Sequence, residues 1–224
     1  MKDKNIVLIT GANSGIGNAL ARKLISENYF VIATSRNGKI ENLISENLFV
    51  IELDITNQNS INKLNEIIRS KFDSIKILIN NAGIAPDLYK TELDINILRT
   101  TFETNVFGLV NLTETIQDFI SKNGKIFNIS SLMGTLNRES SEDSIAYKMS
   151  KTALNMYTKS LSAKLNIRKI SVNSISPGWV ITKMTNQNAR LTPESSAEGI
   201  YKLIKRNIPN GTFWNAETQQ KMDW

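Results

Sequence analysis

The stretch Thr10–Gly17, TGANSGIG, follows the apolar run Asn5–Ile9 and places glycines at positions 11, 15 and 17. Apolar residues at helical spacing resume directly after it, so the glycines join a buried strand to a helix. At such a turn Gly11 allows the sharp change of direction, Gly15 lets the backbone approach a ligand, and Gly17 lets the helix pack closely on the strand. The free N–H groups at the start of the helix suit an anion. The stretch therefore predicts a pyrophosphate site.

Short apolar runs alternate with longer segments of helical periodicity along the rest of the chain. This alternation is typical of a parallel sheet with helices on both faces. We therefore predict one domain over residues 1–224, with a doubly wound α/β fold. The predicted strands are Ile6–Thr10, Phe30–Thr34, Leu48–Leu53, Ile75–Asn80, Lys125–Ser130 and Ser171–Ile175. The predicted long helices are Leu98–Lys122 and Ser144–Leu165, and a later helix begins with Thr192 as its N-cap and Pro193 at its first position.

The composition excludes several classes of chemistry. The 224 residues include no cysteine and no histidine, which excludes disulfides, thiolate nucleophiles, Ser-His-Asp triads and the usual zinc sites. We therefore expect no metal site. No apolar run approaches the length of a membrane span, and the apolar N-terminal stretch ends at once in the glycine loop, unlike a signal peptide. We expect a cytoplasmic protein that does not bind a membrane.

The formal net charge of +6 raises the question of a polyanionic partner. The basic residues are scattered rather than clustered, so we do not expect nucleic-acid binding. An excess of positive charge still favours an anionic dinucleotide.

Six motifs resemble those of the short-chain dehydrogenase/reductase family and occur in the family's order. The glycine spacing G-x-x-x-G-x-G differs from the general fingerprint G-x-G-x-x-G but resembles the cofactor loop of this family. The other motifs are NNAG at Asn80–Gly83, TNVFG around Asn105, ISS at Ile129–Ser131, YKMSK at Tyr147–Lys151 and SPGWVIT at Ser176–Thr182. The terminal GTFWN…W and the stretch PGWVITKM…LTPESSAEG resemble a carbonyl-reductase-like branch that includes the C-factor proteins.

The resemblance implies a Rossmann-type oxidoreductase that reduces a ketone or aldehyde, or oxidises the matching secondary alcohol. It also implies a catalytic set of Asn105, Ser131, Tyr147 and Lys151. Tyr147 and Lys151 are four residues apart on a predicted helix, so they share one face. A nearby ammonium is expected to lower the pKa of the phenol, which lets Tyr147 act as general acid or base. Without the glycine loop, the same pair would indicate only an ordinary amphipathic helix.

The other two catalytic candidates have structural alternatives. Ser131 follows a predicted strand at the edge where ligands bind, and its hydroxyl could hold the substrate oxygen. The alternative role is to cap the strand end. Asn105 lies within a predicted helix, where Asn is a poor helix former. In the family an Asn at this position breaks the helix locally and holds a water that connects Lys to solvent, whereas the alternative is a surface Asn.

The choice between NADP and NAD depends on the end of the second strand. An acid there binds the ribose hydroxyls of NAD, and a basic residue accommodates the 2′-phosphate of NADP. Ser35 stands where the acid would be, and Arg36 follows, which favours NADP(H), with NAD(H) as the alternative. Asp54 matches the family position that binds the adenine amino group, although it could instead form an Asx turn. The predicted cofactor contacts are Gly11, Asn13, Ser14, Gly15, Ile16, Gly17, Ser35, Arg36, Asp54, Ile55, Asn81, Ala82, Gly83, Tyr147, Lys151, Pro177, Gly178, Val180 and Thr182.

The sequence does not specify the substrate. We expect its pocket to be built from the loop between Ser131 and Tyr147, from residues 86–89 and from residues 182–191. A non-enzymatic dinucleotide-binding protein with a signalling or regulatory role is the main alternative, and an isomerase or dehydratase on the same scaffold is another. The complete catalytic set favours an enzyme.

The family usually pairs subunits through the two long helices. Apolar residues on these helices cannot all face one sheet, so we predict a homodimer or homotetramer. The residues considered for this interface are Phe102, Val106, Val110, Leu154 and Leu161.

Overall fold

One eight-stranded sheet runs through the computed structural model, which describes residues 5–137, 139–185 and 189–224. The first seven strands are parallel, and the last is antiparallel to its neighbour. The strands are β1 (Ile6–Ile9), β2 (Phe30–Ser35), β3 (Leu48–Glu52), β4 (Ile75–Asn80), β5 (Ile120–Ile129), β6 (Ser171–Ser176), β7 (Phe213–Asn215) and β8 (Lys221–Met222). Their spatial order is β3-β2-β1-β4-β5-β6-β7-β8.

Helices cover both faces of the sheet, which confirms the predicted fold class. On one face lie α1 (Gly15–Ser26) and α6 (Pro193–Lys205), and on the other lie α2 (Gln58–Lys71), α4 (Leu109–Ile116) and α5 (Ile145–Leu165). The alternation of side chains along each strand supplies both cores. In β1, for example, Val7 and Ile9 join the first core, whereas Ile6 and Leu8 join the second.

The strand order changes direction at β1, which places a ligand site at the carboxyl end of that strand. The chain first builds β2 and β3 on one side of β1 and then returns to build β4 to β7 on the other. Ligands of such sheets bind where the strand order reverses, outside the carboxyl ends. The glycine loop follows β1, Asn81 follows β4, Ser131 lies just after β5, and Pro177 follows β6. The fold therefore brings four of the predicted motifs to one edge.

The predicted helix Leu98–Lys122 is wrong in its bounds and its continuity. Helix α3 (Ile95–Phe102) begins earlier, and a π-helical turn (Glu103–Gly108) separates it from α4. A short 3-10 turn follows α4, and β5 then begins at Ile120 rather than near Lys125. The reason is that Ile120 is buried in the second core and pairs with Ile75 across an irregularity in the register.

Two of the five residues considered for a subunit interface belong to the core instead. Leu154 and Leu161 are buried within the chain, because α5 turns that side toward the sheet. Phe102, Val106 and Val110 are only partly buried. More exposed apolar side chains on these helices are Phe107, Met149 and Met156.

The short strands β7 and β8 were not predicted from the sequence. They form because the chain turns back after Asn215, and the Asn215 N–H donates to the Gln220 carbonyl oxygen at 2.9 Å. The ring of Trp224 then stacks on Phe213, with ring centroids 5.9 Å apart and planes inclined by 18°.

Across the described ranges, no helix combines the length and the apolarity needed to cross a membrane.

Candidate active site

The glycine loop combines an unusual backbone with a very close approach of two segments. Gly11 and Gly15 have φ values of +66° and +55°, which residues with a side chain rarely adopt. A Cβ on Gly17 would lie 2.3 Å from the Gly11 carbonyl oxygen and 2.5 Å from Nδ2 of Asn81. Glycine at position 17 is therefore required for α1 to start directly behind the turn.

The start of α1 offers N–H groups to an anion. Ser14 is the N-cap, yet within the described residues its side chain accepts no hydrogen bond from the first turn, and that turn contains no acidic residue. The first N–H groups of a helix have no partner within the helix itself. Asn13 and Ser14 are exposed beside these groups, and Ile16 is partly buried. This arrangement fits a pyrophosphate by the chemistry of its donors.

The segment after β4 is fastened to the glycine loop. The Thr10 hydroxyl accepts hydrogen bonds from the N–H groups of Asn81 and Ala82, both at 3.0 Å. In return, Nδ2 of Asn81 donates to the carbonyl oxygens of Thr10 and Gly11, at 2.9 and 3.1 Å. A Cβ on Gly83 would lie 3.6 Å from Nζ of Lys151. The NNAG motif therefore connects the glycine loop with the catalytic candidates.

Asn105 lies inside the π-helical turn and is fully buried. Its Oδ1 accepts from the Ile84 N–H at 2.8 Å, and its Nδ2 donates to the Ile84 carbonyl oxygen at 2.8 Å and to Oγ of Ser150 at 3.0 Å. The buried position argues against a surface Asn. Single π-helical turns occur frequently at functional sites, and this one interrupts the helix at the residue that the sequence singles out.

Ser131, Tyr147 and Lys151 meet at the carboxyl end of β5. Tyr147 is the third residue of α5, and Nζ of Lys151 lies 5.5 Å from the centroid of its ring. Nζ of Lys151 also donates to the Ile129 carbonyl oxygen at 2.9 Å, so the lysine is held against the end of β5. The Ser131 hydroxyl accepts from the Met133 N–H at 3.1 Å and caps the short 3-10 turn Leu132–Gly134. Ser131 thus caps the turn after the strand rather than the strand end, and it also lies in the cluster.

Burial dominates the electrostatics of the Tyr147–Lys151 pair. It raises the pKa of Tyr147 to about 12, against the opposite effect of a hydrogen bond with Ser131. It lowers the pKa of Lys151 to about 8. The phenol pKa is therefore raised in this structure rather than lowered as expected, because loss of hydration of the phenolate is the largest effect. At neutral pH the phenol keeps its proton, which is the form that a general acid needs.

Ser35 and Arg36 differ in burial, since Ser35 is buried and Arg36 is exposed. The Ser35 hydroxyl donates to the Lys39 carbonyl oxygen at 2.8 Å and accepts from the Lys39 N–H at 2.9 Å. Ser35 is buried and its hydroxyl is engaged in this turn, whereas Arg36 is exposed. Of this pair, Arg36 alone presents its side chain to solvent, where it could meet a phosphate.

Asp54 forms the Asx turn that the sequence left as its alternative role. Oδ1 of Asp54 accepts from the hydroxyl and the N–H of Thr56, at 2.7 and 2.9 Å. These two hydrogen bonds, together with the charge of Arg36, lower the pKa of the Asp54 carboxyl group. The neighbouring Ile55 is buried. Asp54 is therefore a fixed carboxylate on the Arg36 side of the sheet edge.

The segment after β6 approaches the glycine loop. A Cβ on Gly15 would lie 3.3 Å from the methyl group of Thr182. The Pro177 carbonyl oxygen accepts from the Ser196 hydroxyl at 2.7 Å, which ties the segment to α6, and Val180 is buried. These contacts hold the segment that carries four of the predicted cofactor contacts, namely Pro177, Gly178, Val180 and Thr182.

Two exposed apolar residues, Tyr89 and Met184, lie in stretches expected to form the substrate pocket, and Trp179 and Ile181 lie just before the second stretch. Tyr89 comes from the loop after β4, and Trp179, Ile181 and Met184 come from the segment after β6. Nε1 of Trp179 donates to the Tyr89 hydroxyl at 3.2 Å, so the two segments meet. We call these four residues the apolar rim. Of the predicted pocket stretch 182–191, residues 186–188 lie outside the described residues.

Sequence reasoning missed two buried residues, one that caps α5 and one that joins α5 to the end of β5. Oδ2 of Asp87 accepts from the N–H groups of Ala146 and Tyr147, at 2.7 and 3.3 Å, and so caps α5 from a distant loop. Asn155 lies in the middle of α5 and bonds to Ser130. The signal applied to Asn105, a poor helix former inside a helix, also applies to Asn155. Nothing local in the sequence marks Asp87, because its partner is distant along the chain.

Comparison with known proteins agrees with this geometry. Residues 5–192 match the model of a family described as short chain dehydrogenase. The chain is 32% identical over 222 residues to 3-oxoacyl-[acyl-carrier-protein] reductase FabG of Aquifex aeolicus. The aligned region covers 95% of this chain and 85% of that protein.

Two solved carbonyl reductases have closely similar folds. The carbonyl reductase Sniffer of D. melanogaster has a TM-score of 0.91 and 29% identity, over 99% of this chain and 100% of that one. The NADPH-bound carbonyl reductase from chicken fatty liver has a TM-score of 0.87 and 26% identity, over 99% of this chain and 94% of that one. Both similarities extend over 99% of this chain, including its carboxyl-terminal strands.

Proposed function

The chain belongs to the short-chain dehydrogenase family, in its carbonyl-reductase-like branch, and we propose that it is an NADP(H)-dependent carbonyl reductase with Tyr147 as general acid. Family membership makes it an oxidoreductase of this type and argues against the non-enzymatic alternative. The observation that carries the specific proposal is the meeting of Ser131, Tyr147 and Lys151 beside a glycine loop with an uncapped helix start. Fold alone would not carry it, because one fold hosts many reactions.

The residues present fit a nicotinamide dinucleotide. The N–H groups at the start of α1 suit the pyrophosphate, Arg36 suits a 2′-phosphate, and Thr182 lies beside Gly15 where the chain could meet the nicotinamide. A cofactor bound there would supply or accept the hydride. The NADPH bound to the chicken carbonyl reductase supports the choice of NADP(H) over NAD(H).

The catalytic side chains divide the remaining chemistry among them. The Ser131 hydroxyl would donate a hydrogen bond to the substrate oxygen and stabilise the negative charge that develops there. Tyr147, protonated at neutral pH, would give that oxygen its proton. The Lys151 ammonium, held at Ile129, would stabilise the phenolate left behind. Asn105 would hold the Ile84 backbone and Ser150 in place next to this pair.

The apolar rim indicates the class of substrate. Tyr89, Trp179, Ile181 and Met184 are each between 40% and 48% exposed, so they offer apolar surface that a ligand would cover. We propose that ketones or aldehydes with an aromatic or extended apolar group are the preferred substrates. Small, fully hydrated carbonyl compounds would leave this surface uncovered.

A second proposal concerns assembly. The partly exposed apolar residues of α3, the π-helical turn, α4 and α5 would be covered in a homodimer or homotetramer built on these helices. The supporting observation is the exposure of Phe107, Met149 and Met156 on adjoining elements.

The decisive experiment measures NADPH consumption with a panel of carbonyl substrates, including aromatic ketones, small aldehydes and a 3-oxoacyl thioester. Replacing Tyr147 by Phe removes only the proton donor, so kcat should fall by at least roughly 10²-fold while NADPH binding is kept. Tyr157→Phe is the matched control, because Tyr157 lies on the same helix and its hydroxyl bonds to Glu114. Near wild-type turnover by Tyr147→Phe would refute the assigned role.

A further inference from the structure

Asn155 bonds to both ends of the segment that carries Ser131. It is only 3% exposed and lies on α5, one helical turn after Lys151. Its Oδ1 accepts from the Ser130 hydroxyl at 2.7 Å, and its Nδ2 donates to the Gly134 carbonyl oxygen at 3.2 Å. Because Ser130 precedes Ser131 and Gly134 ends the 3-10 turn behind it, one amide group holds this turn at its start and at its end.

The spacing on α5 places this amide on the catalytic face. Tyr147, Lys151 and Asn155 follow one another at intervals of four residues, so they share one stripe of the helix. Lys151 holds the end of β5 at Ile129, and Asn155 holds the next residue, Ser130. The helix that presents the phenol is thus joined by side chains to the segment that presents the serine hydroxyl.

The turn after Ser131 transmits this attachment to the serine itself. The Ser131 hydroxyl accepts a hydrogen bond from the Met133 N–H at 3.1 Å. The Ser131 carbonyl oxygen accepts one from the Gly134 N–H at 3.0 Å. A Cβ on Gly134 would lie 2.7 Å from the Lys151 carbonyl carbon, so the turn rests directly on the helix backbone. A shift of Gly134 would therefore move the hydrogen-bond partners that fix the Ser131 side chain.

A purely structural role explains Asn155 less well. Asn is a poor helix former, and a buried amide is costly unless its polar atoms are bonded. Leucine has a similar size and would suit both the helix and the core. The amide suits this position because its Oδ1 and its Nδ2 form hydrogen bonds with the two ends of the Ser131 segment.

We infer that Asn155 is a positioning residue that fixes the Ser131 hydroxyl relative to the Tyr147 phenol. This inference rests on the proposed reductase function. Asn155 does not touch the reacting atoms, and it acts through Ser131.

The test combines Asn155→Leu with Ser131→Ala and measures kcat with a good carbonyl substrate and the Kd for NADPH. In the wild-type background, Asn155→Leu should lower kcat by at least roughly tenfold, because small displacements of reacting groups are costly. The Kd for NADPH should change less than twofold. In the Ser131→Ala background, the same substitution should lower kcat less than twofold further, because the hydroxyl that Asn155 positions is already gone.

Thr158→Val is the matched control. Thr158 is the next buried polar residue on this side of α5, and its hydroxyl bonds to Asn128 and Ser174 rather than to the Ser131 segment. Its loss should lower stability but leave kcat within about twofold. Ser130→Ala removes the hydrogen bond between Ser130 and Asn155 while Asn155 itself stays in place. This variant replaces Asn155→Leu in the test if Asn155→Leu does not fold. It should give a smaller loss of kcat that is likewise absent in the Ser131→Ala background.

Equal losses in both backgrounds, or a kcat unaffected by Asn155→Leu and by Ser130→Ala, would overturn the inference while leaving the reductase function intact. A loss with Thr158→Val as large as with Asn155→Leu would also overturn it. If the wild-type chain reduces no carbonyl compound in the panel, the proposed function fails and the inference fails with it.

Discussion

Replacing Lys151 by Met should stabilise the cofactor-free protein at neutral pH while it abolishes activity. Lys151 has a pKa of 10.5 in the unfolded chain and about 8 in the folded one, because burial removes the hydration of its ammonium. At pH 7 this difference lowers the free energy of unfolding by about 3 kcal/mol. Met fills a similar volume without a charge, but it loses the hydrogen bond from the ammonium to the Ile129 carbonyl oxygen, worth about 2 kcal/mol. We expect a net gain of about 1 kcal/mol.

The stability advantage of the Lys151→Met variant over the wild-type protein should vanish as the pH rises. The folded pKa lies below the unfolded pKa, so between about 8 and 10.5 the unfolded chain binds the proton that the folded chain has released. The wild-type protein therefore becomes more stable relative to the Met variant as the pH increases through this window. At pH 9.5 the cost of burying Lys151 falls to about 1 kcal/mol, and the two proteins should be nearly equal in stability.

Urea unfolding of both proteins at pH 7 and pH 9.5 measures this difference, and NADPH consumption measures the lost activity. Lys148→Met is the matched control on the same helix, because Lys148 forms an ion pair with Asp143 at 3.3 Å. That substitution should not raise stability at pH 7. A Lys151→Met variant that is less stable than wild type at pH 7, or a difference that does not shrink by pH 9.5, would refute the reasoning.

Three further predictions concern other parts of the molecule. Arg36→Ala should lower kcat/KM for NADPH by roughly ten- to a hundred-fold, because a charge-assisted hydrogen bond to the phosphate is lost. The kcat/KM for NADH should stay unchanged, and equal losses with both cofactors would contradict the assignment. Asp87→Ala removes the acceptor for two N–H groups of α5, so urea unfolding should show a loss of about 1–2 kcal/mol, and no loss would show that the cap is dispensable. Light scattering at micromolar concentration should show a dimer or tetramer, and a monomer alone would sink the proposed assembly.

The sequence predicted six of the strands and the edge where the site lies, for simple physical reasons. Apolar runs such as Ile6–Ile9 and Ile75–Asn80 are buried on both faces, and parallel strands bring their carboxyl ends to one edge. Motifs far apart in sequence therefore meet in space once the strand order is known. β8 could not be predicted in this way, because a strand of two residues has no periodicity of its own.

The sign of the Tyr147 pKa shift could not be predicted from the spacing of Tyr147 and Lys151. Spacing shows that the two side chains share a face, but the pKa depends on how much water the surrounding segments exclude. Here Lys151 is buried and Tyr147 is partly covered by its surroundings, so desolvation raises the pKa of Tyr147 and lowers that of Lys151. The inward orientation of Ser35 and its hydrogen bonds with Lys39 likewise depend on the fold of the surrounding turn, so the sequence did not show them.

Three features that local rules disfavour lie at the proposed site. Asn105 occupies a π-helical turn, and the charged group of Lys151 is buried. Ser144, the N-cap of α5, has a φ of +55°, which side chains rarely adopt, and its hydroxyl accepts from the Tyr89 N–H at 2.9 Å. Each feature costs stability, and each lies within three residues of Tyr147 or belongs to the predicted catalytic set. Natural proteins depart from local rules mainly where function requires a particular geometry. Ser144 directly precedes α5, so its unusual backbone conformation and its hydrogen bond with Tyr89 lie at the start of the helix that carries Tyr147.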